Sequence, residues 1–269
     1  MFKRGIRNII LAFSIVALVS SCSGYEKLLK SGDINLIYKK GIDYYKEGQY
    51  VKAVTLFEKV IPRMKGTEKS EDLDFMQAQC YYKMRDYVMA GHYFRTFVRT
   101  YFNSPRAEEA DFLGAYCYYK LTGRPELDQT NTYKTLNAFT LFKSKFPGSD
   151  RMDEINKLIV ELNEKLVEKS YDEAKLYYDL EKYKAAIVAI KNSLTDYPDT
   201  KYREELMFLK LKSNYLIALN SIRSKQFERY QNTVDEYYAF IDEFPKSRFG
   251  KEAEKIYNNS ASYLADQKK

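Results

Sequence analysis

The stretch from Glu71 to Ser104 reads EDLDFMQAQCYYKMRDYVMAGHYFRTFVRTYFNS, two helical patterns separated by the short link Arg85-Asp86-Tyr87. In the first pattern Ala78 is followed three residues on by Tyr81. In the second, Tyr87, Ala90, Phe94 and Phe97 fall on one face at helical spacing, and Tyr101-Phe102-Asn103-Ser104 closes the unit. A pair of short amphipathic helices cannot bury its apolar faces alone, so this stretch obliges the rest of the chain to supply stacked neighbours.

The neighbours are present. Gly41, Ala78, Ala115 and Ala174 are followed, three residues later, by Tyr44, Tyr81, Tyr118 and Tyr177. Twelve residues past the first, second and fourth of these small residues stand Ala53, Ala90 and Ala186, each preceded by a tyrosine: Tyr50, Tyr87 and Tyr183. A ring fits beside the small residue, and the alanine lets paired helices approach closely. Phe146-Pro147, Tyr197-Pro198 and Phe244-Pro245 stand where Tyr101-Phe102 closes the first unit. Proline lacks an amide proton and restrains its predecessor, so each pair marks a helix end. Cys80-Tyr81-Tyr82-Lys83 returns one unit later as Cys117-Tyr118-Tyr119-Lys120, which an irregular helical bundle does not account for. The pattern resembles the tetratricopeptide repeat, with several copies lengthened, one around Gly123-Arg124-Pro125-Glu126 and one by the polar stretch Ser221 to Glu228. The fold class that follows is all-α: a tetratricopeptide-like helical-repeat solenoid of about five helix pairs plus a terminal capping helix.

Residues 1–21 stand apart from that fold. Lys3, Arg4 and Arg7 precede the apolar run Ile9 to Val19, which is too short for an ordinary membrane-spanning helix and reads as an export signal. Val19-Ser20-Ser21-Cys22 resembles the processing box of bacterial lipoproteins, which implies cleavage before Cys22 and acylation of that residue. Several acyl chains hold a soluble domain at a bilayer stably. By the same resemblance, Ser23 in place of aspartate implies transport to the outer membrane, facing the periplasm. Residues 22–32 are then a lipidated tether, and 33–150 hold repeats one to three, with Asp33 capping the first helix at Ile34 and Gly48 breaking the chain before Tyr50. Residues 151–180 form a long linking helix that includes the first helix of repeat four. Residues 181–264 hold the rest of repeat four, repeat five (Arg203 to Leu219 and Tyr230 to Phe244) and the capping helix, leaving 265–269 as a disordered tail.

No catalytic constellation is visible. His92 is the one histidine, and the pairs Glu108-Glu109 and Glu204-Glu205 stand near helix starts, where carboxylates complement exposed amides. There is no phosphate-binding glycine loop and no metal-ligand spacing. The net charge is +7, and losing residues 1–21 removes three cations and no acid, so the mild surplus argues against nucleic acid as a partner. Cys80 and Cys117 sit among core positions and read as buried small hydrophobes. The chain is therefore read as a binding protein, not an enzyme, with no cofactor beyond covalent lipid on Cys22.

Side chains three before and four after each small residue share one stripe of the first helices. Tyr38 and Tyr45, Phe75 and Tyr82, and Phe112 and Tyr119, with Tyr116 beside them, are expected to line a concave aromatic groove, some of them packing between neighbouring helices instead. Tyr171 and Tyr178 continue the stripe in repeat four. Lys83, Arg85, Lys120 and Arg124 form a basic rim suited to a peptide's terminal carboxylate.

Taken whole, the chain resembles the BamD family, lipoproteins of the bacterial outer-membrane β-barrel assembly machinery, in its Bacteroidetes form. The resemblance covers the export signal and Cys22, five repeats and the long linking helix. Its most specific features are Tyr44-Tyr45-x-x-Gly48-x-Tyr50, Cys80-Tyr81-Tyr82-Lys83, Thr100 to Pro105, Asp128 to Tyr133, and Tyr197-Pro198-Asp199-Thr200. It implies a non-enzymatic scaffold whose amino-terminal repeats receive unfolded outer-membrane proteins and whose carboxy-terminal repeats dock the periplasmic domains of the barrel-forming assembly subunit. Under it, Tyr178, Arg203, Tyr215 and the Ser221 to Glu228 loop lie in the half that meets that subunit, other assembly lipoproteins are further partners, and acyl chains meet the bilayer. The alternative is a general repeat-scaffold lipoprotein of another cell-envelope complex.

Overall fold

A computed structural model describes residues 24–267; the expected export signal, Cys22, Ser23 and the last two residues lie outside the described residues. The order is α1 (24–30), α2 (Ile34–Lys46), α3 (Tyr50–Met64), α4 (Ser70–Lys83), α5 (Tyr87–Thr100), α6 (Ala107–Lys120), α7 (Thr130–Lys145), α8 (Met152–Asp179), α9 (Tyr183–Asp196), α10 (Arg203–Leu219), α11 (Arg223–Glu243) and α12 (Gly250–Asp266). Among the described residues none of these is long and apolar enough to cross a membrane. The chain forms two compact units, one running to Thr122 and resuming at Thr130–Met152, the other made of Gly123–Gln129 and everything from Asp153.

In the first unit each helix packs on the next, from α2 through α6 onto α7, as short links between helices require. The small residues set the spacing. Ala53, Ala78 and Ala90 are fully buried, with Phe57 and Phe94 one turn beyond Ala53 and Ala90 and equally inaccessible. At Gly41 a Cβ would come within 2.8 Å of the Phe57 ring, so the first repeat accepts only glycine without repacking. In the second unit α9 packs on α10, α10 on α11, and α12 on both α10 and α11, which is the capping position. Ala174 on α8 joins Ala186 and Ile190 on α9 and Leu206 on α10 in one apolar cluster.

The link between the helices of a pair is the same device three times. Gly48, Arg85 and Glu181 adopt left-handed backbone, at φ 76°, 62° and 58°. Their amides bond the carbonyls of Tyr45, Tyr82 and Tyr178, and the next amides bond those of Tyr44, Tyr81 and Tyr177, at 2.8–3.1 Å. This Schellman arrangement satisfies the carbonyls that a helix end leaves open. Only the first copy uses the residue that enters this conformation without steric cost.

Three expectations change. The tether is ordered from residue 24: α1 seats Leu28 in the first core cluster, Tyr25 lies edge-on to Tyr44 at 5.7 Å, and its hydroxyl donates to the Lys52 carbonyl at 3.2 Å. The Ser221 to Glu228 stretch is not a loop. It holds no glycine or proline, and α11 starts at Arg223, with Arg229 bonded to Ser221 and Tyr263 donating to Gln226 at 3.0 Å, so the insertion lengthens a helix. At the carboxy-terminal end, α12 reaches Asp266, two residues into the expected tail, because Tyr263 packs on Tyr230 at 4.4 Å.

Two substitutions test the link with opposite signs. Gly48→Ala is expected to destabilise by about 1 kcal/mol in urea unfolding followed by helix signal, and Glu181→Gly to stabilise by up to about 1 kcal/mol, because only the first adds a Cβ to a left-handed position.

Candidate functional site

The stripe on the first helices divides into two classes of ring. The first class comprises the positions before the small residue, and each is covered by the residue that directly precedes a following first helix. The Lys69 ammonium lies over Tyr38 at 4.7 Å, the Arg106 guanidinium over Phe75 at 5.3 Å, and that of Arg151 over Phe112 at 4.0 Å. In the second unit Tyr202 stacks on Tyr171 at 4.0 Å and Phe249 on Phe208 at 4.4 Å, both nearly parallel. The repeat ends position these residues. The hydroxyl oxygens of Ser104, Ser149, Thr200 and Ser247 accept the amides two residues on, those of Arg106, Arg151, Tyr202 and Phe249, at 3.0–3.2 Å. Ser104 and Ser149 also donate to Glu71 and Glu108, at the start of the preceding first helix, both at 2.6 Å. Phe75 and Phe112 are consequently core residues, 5% and 3% exposed, and join one repeat to the next. Tyr38 keeps an open edge beneath Lys69.

The second class follows the small residue by four. Tyr45, Tyr82 and Tyr119, at the carboxy-terminal ends of α2, α4 and α6, are all half-buried. Tyr45 meets Tyr50 edge-on at 6.0 Å and Phe57 at 6.4 Å, and its hydroxyl donates to Gln79 on α4. Burial raises its pKa, so the phenol stays a neutral donor. Tyr82 repeats the arrangement with Tyr87 at 5.7 Å and Phe94 at 6.3 Å. Tyr119 lies against Tyr116 at 5.3 Å, and the Lys120 ammonium stands 4.8 Å from the Tyr116 ring centre.

In the second unit Tyr178 rests on Tyr183 at 5.8 Å, and Tyr215 faces Tyr230 edge-on at 6.3 Å while its hydroxyl accepts from Asn259 at 3.2 Å. Both are half-buried and occupy the register of Tyr45 and Tyr82. Sequence reading left Tyr215 out of that register because repeat five carries buried Leu211 where earlier copies carry glycine or alanine. Arg203 is engaged within the chain: it pairs with Glu243, donates to the Pro198 carbonyl at 3.1 Å, and its pKa is raised, chiefly by the bond to Glu243.

Lys83 and Arg85 are exposed, as is Lys120 beside its tyrosines. Arg124 is exposed and stands 4.0 Å from Glu126. His92 is exposed with its ring edge-on to Tyr93. Among the described residues no group of acids, histidines and cysteines could hold a metal ion. Cys80 and Cys117 are free thiols in the cores of the first unit, and burial pushes both up to about 12. The surface therefore offers half-open phenol rings with hydroxyl groups and flanking cations, chemistry suited to holding a chain and not to breaking a bond.

The profile of a family described as YfiO, outer membrane lipoprotein, matches residues 31–230. No curated protein matches the chain significantly. Similar solved structures include a tetratricopeptide-repeat protein of Bacteroides fragilis, 13% identical over 87% of this chain and all of its own, with a TM-score of 0.37. The TPR2AB domain of yeast Sti1, solved in a complex with pHSP90, is 14% identical over 85% of this chain and 98% of its own, with a TM-score of 0.38.

The thiols give a direct test of this packing. A thiol whose folded pKa is raised contributes its full stability below the unfolded value of 9.0 and loses it as pH rises toward about 12. Cys80 and Cys117 are expected to resist a disulfide reagent at pH 8 until urea is added, and the urea midpoint to fall between pH 9 and pH 12. Fast labelling of the folded chain would contradict the burial.

Proposed function

Because the chain belongs to the YfiO family of outer membrane lipoproteins, also called BamD, we propose that the tyrosines ending its first helices receive unfolded barrel clients. Family membership makes the chain a non-enzymatic scaffold of outer-membrane β-barrel assembly, lipid-anchored in the outer membrane and facing the periplasm. One observation supports the client reading: Phe75 and Phe112, before the small residue, are buried beneath the next repeat, whereas Tyr45, Tyr82 and Tyr119, after it, stay half-buried in every copy of the first unit. Tyr38 and Tyr116 extend this surface, with Phe75 and Phe112 as its foundation.

An extended client would lay apolar side chains on these rings, with phenol hydroxyls available to its unpaired backbone groups. Lys83, Arg85 and Lys120 would attract its terminal carboxylate. Each contact is weak, and several in register hold a chain reversibly, as hand-over requires. The lipid belongs on Cys22. Since α1 docks on the first repeat from residue 24, almost no slack separates the anchor from the client surface. The second unit is the proposed dock for the periplasmic domains of the barrel-forming subunit. Tyr178 and Tyr215 offer rings there, Arg203 braces α10 against α11, and exposed Leu176, Leu180, Ile222 and Phe227 add apolar area.

Replacing Tyr45 and Tyr82 together by alanine is expected to weaken binding of carboxy-terminal barrel peptides by about tenfold or more, with helix content unchanged; unchanged affinity in a titration rejects this surface. Phe75→Ala should instead lower stability by about 3–5 kcal/mol, since its ring lies in the core. Cys22→Ser should release the chain from sedimented membranes into the soluble fraction, and retention there would show that another element anchors it.

A further inference from the structure

The start of α3 differs from the same place in later repeats, and it lies at the end of the chain expected to carry lipid. Cys22 stands two residues before Gly24, and two peptide units span at most about 7 Å. From there the chain is fixed to the first repeat: Leu28 is seated in the core, Tyr25 lies edge-on to Tyr44, and the Tyr25 hydroxyl donates to the Lys52 carbonyl at 3.2 Å. The Lys52 ammonium stands 5.7 Å from the Tyr25 ring centre and 5.2 Å from that of Tyr44. Among the described residues its nitrogen has neither a carboxylate nor a hydrogen-bond partner, and it is open to solvent. Beside it Val51 is 67% exposed. Met89 and Ala185 hold the place of Lys52 in repeats two and four, so of these three only the repeat next to Cys22 carries a cation there.

The length of chain before Gly24 indicates the occupant. The polar layer of one leaflet is about 5–8 Å deep, and two peptide units reach no farther, so acylation of Cys22 keeps groups packed on Tyr25 at the headgroup boundary. Lipid phosphates there accept from an ammonium, and an exposed aliphatic side chain is stabilised at the acyl boundary. Glu26 and Lys27, both exposed on α1, offset each other, which leaves Lys52 and Val51 to select an orientation. A small soluble anion would pair with Lys52 and leave Val51 in water. We propose that the corner formed by Tyr25, Val51 and Lys52 rests on the phospholipid surface that holds the anchor, with Lys52 on lipid phosphate and Val51 in the interfacial layer. This contact rests on the reading that Cys22 carries the lipid, and it adds a fixed orientation to that attachment. Tyr50, which directly precedes Val51, meets the client ring Tyr45 edge-on at 6.0 Å, so the row of client tyrosines starts at the membrane surface.

The test reconstitutes the acylated full chain into vesicles of phosphatidylethanolamine and phosphatidylglycerol containing a lipid with a quencher just below its headgroup. A fluorophore is attached at Val51→Cys or at Val88→Cys, the matched position one repeat on, which is 63% exposed. The lipid blocks Cys22, and Cys80 and Cys117 are buried. Quenching at position 51 is expected to exceed that at position 88 by about threefold or more, with Lys52→Gln removing about half of the excess and Lys52→Arg retaining it. Helix signal and Tm, read in parallel, show that each variant folds. Equal quenching at the two positions in a chain that floats with the vesicles overturns this surface and leaves the anchor standing. Quenching unchanged in Lys52→Gln overturns it as well, as does shielding of position 51 that appears only when other outer-membrane proteins are added, which would mark a protein interface. A chain that does not float with the vesicles removes the anchor and this contact together.

Discussion

The repeats are held in register by one contact: a flat ring on a first helix lies beneath the residue that begins the next first helix. The ring is Tyr38, Phe75, Phe112, Tyr171 or Phe208, and the residue above it is Lys69, Arg106, Arg151, Tyr202 or Phe249. Three cations and then two aromatic residues take the covering role, because both kinds of group are attracted to a ring face, each by about 0.5–1.5 kcal/mol beyond the area buried. The hydroxyl of Ser104, Ser149, Thr200 or Ser247 fixes the turn that delivers it. The interval between ring and cover is longer for Phe112 and Phe208 than for the others, yet the contact survives. The extra residues go into the 123–129 loop in one case and into α11 in the other.

That joint also decides which aromatic residues remain for other work. A side chain covered by its neighbour has spent its face on stability, and Phe75 and Phe112 are of this kind. Tyrosines one helical turn past the small residue are half-buried instead, and the cations near them stand farther off, Lys120 at 5.7 Å from the Tyr119 ring and Lys212 at 6.0 Å from that of Tyr178. Tyrosine suits the position because its ring packs on the helix pair while its hydroxyl finds a polar partner, as Tyr45 does at Gln79 and Tyr215 at Asn259. Under the proposed reading, stability and client binding fall to different positions of the same helices.

Much of this was legible in the residues. The small-x-x-Tyr and Tyr-x-x-Ala spacings gave the helix pairs, Asp33 was readable as a cap and accepts the Leu36 amide at 3.0 Å, and α10 runs from Arg203 to Leu219 as its pattern indicates. Polarity misled at Ser221 to Glu228, where helix-forming residues without glycine or proline extend α11. Before Asp33, Tyr25 and Leu28 find partners on the first repeat that no local pattern announces. Tyr215 fell out of the stripe because Leu211 breaks the small-residue signal on which the register was counted.

By itself the sequence determined the all-α repeat, the helix pairs and the thiols' place in the core, because these depend on spacing along one helix or across one turn. Only the tertiary structure decided which rings are covered and which stay open, and that Arg203 is tied to Glu243. Each of these depends on a partner brought from another helix, and the face a side chain shows its own helix says nothing of what will come to lie on top of it.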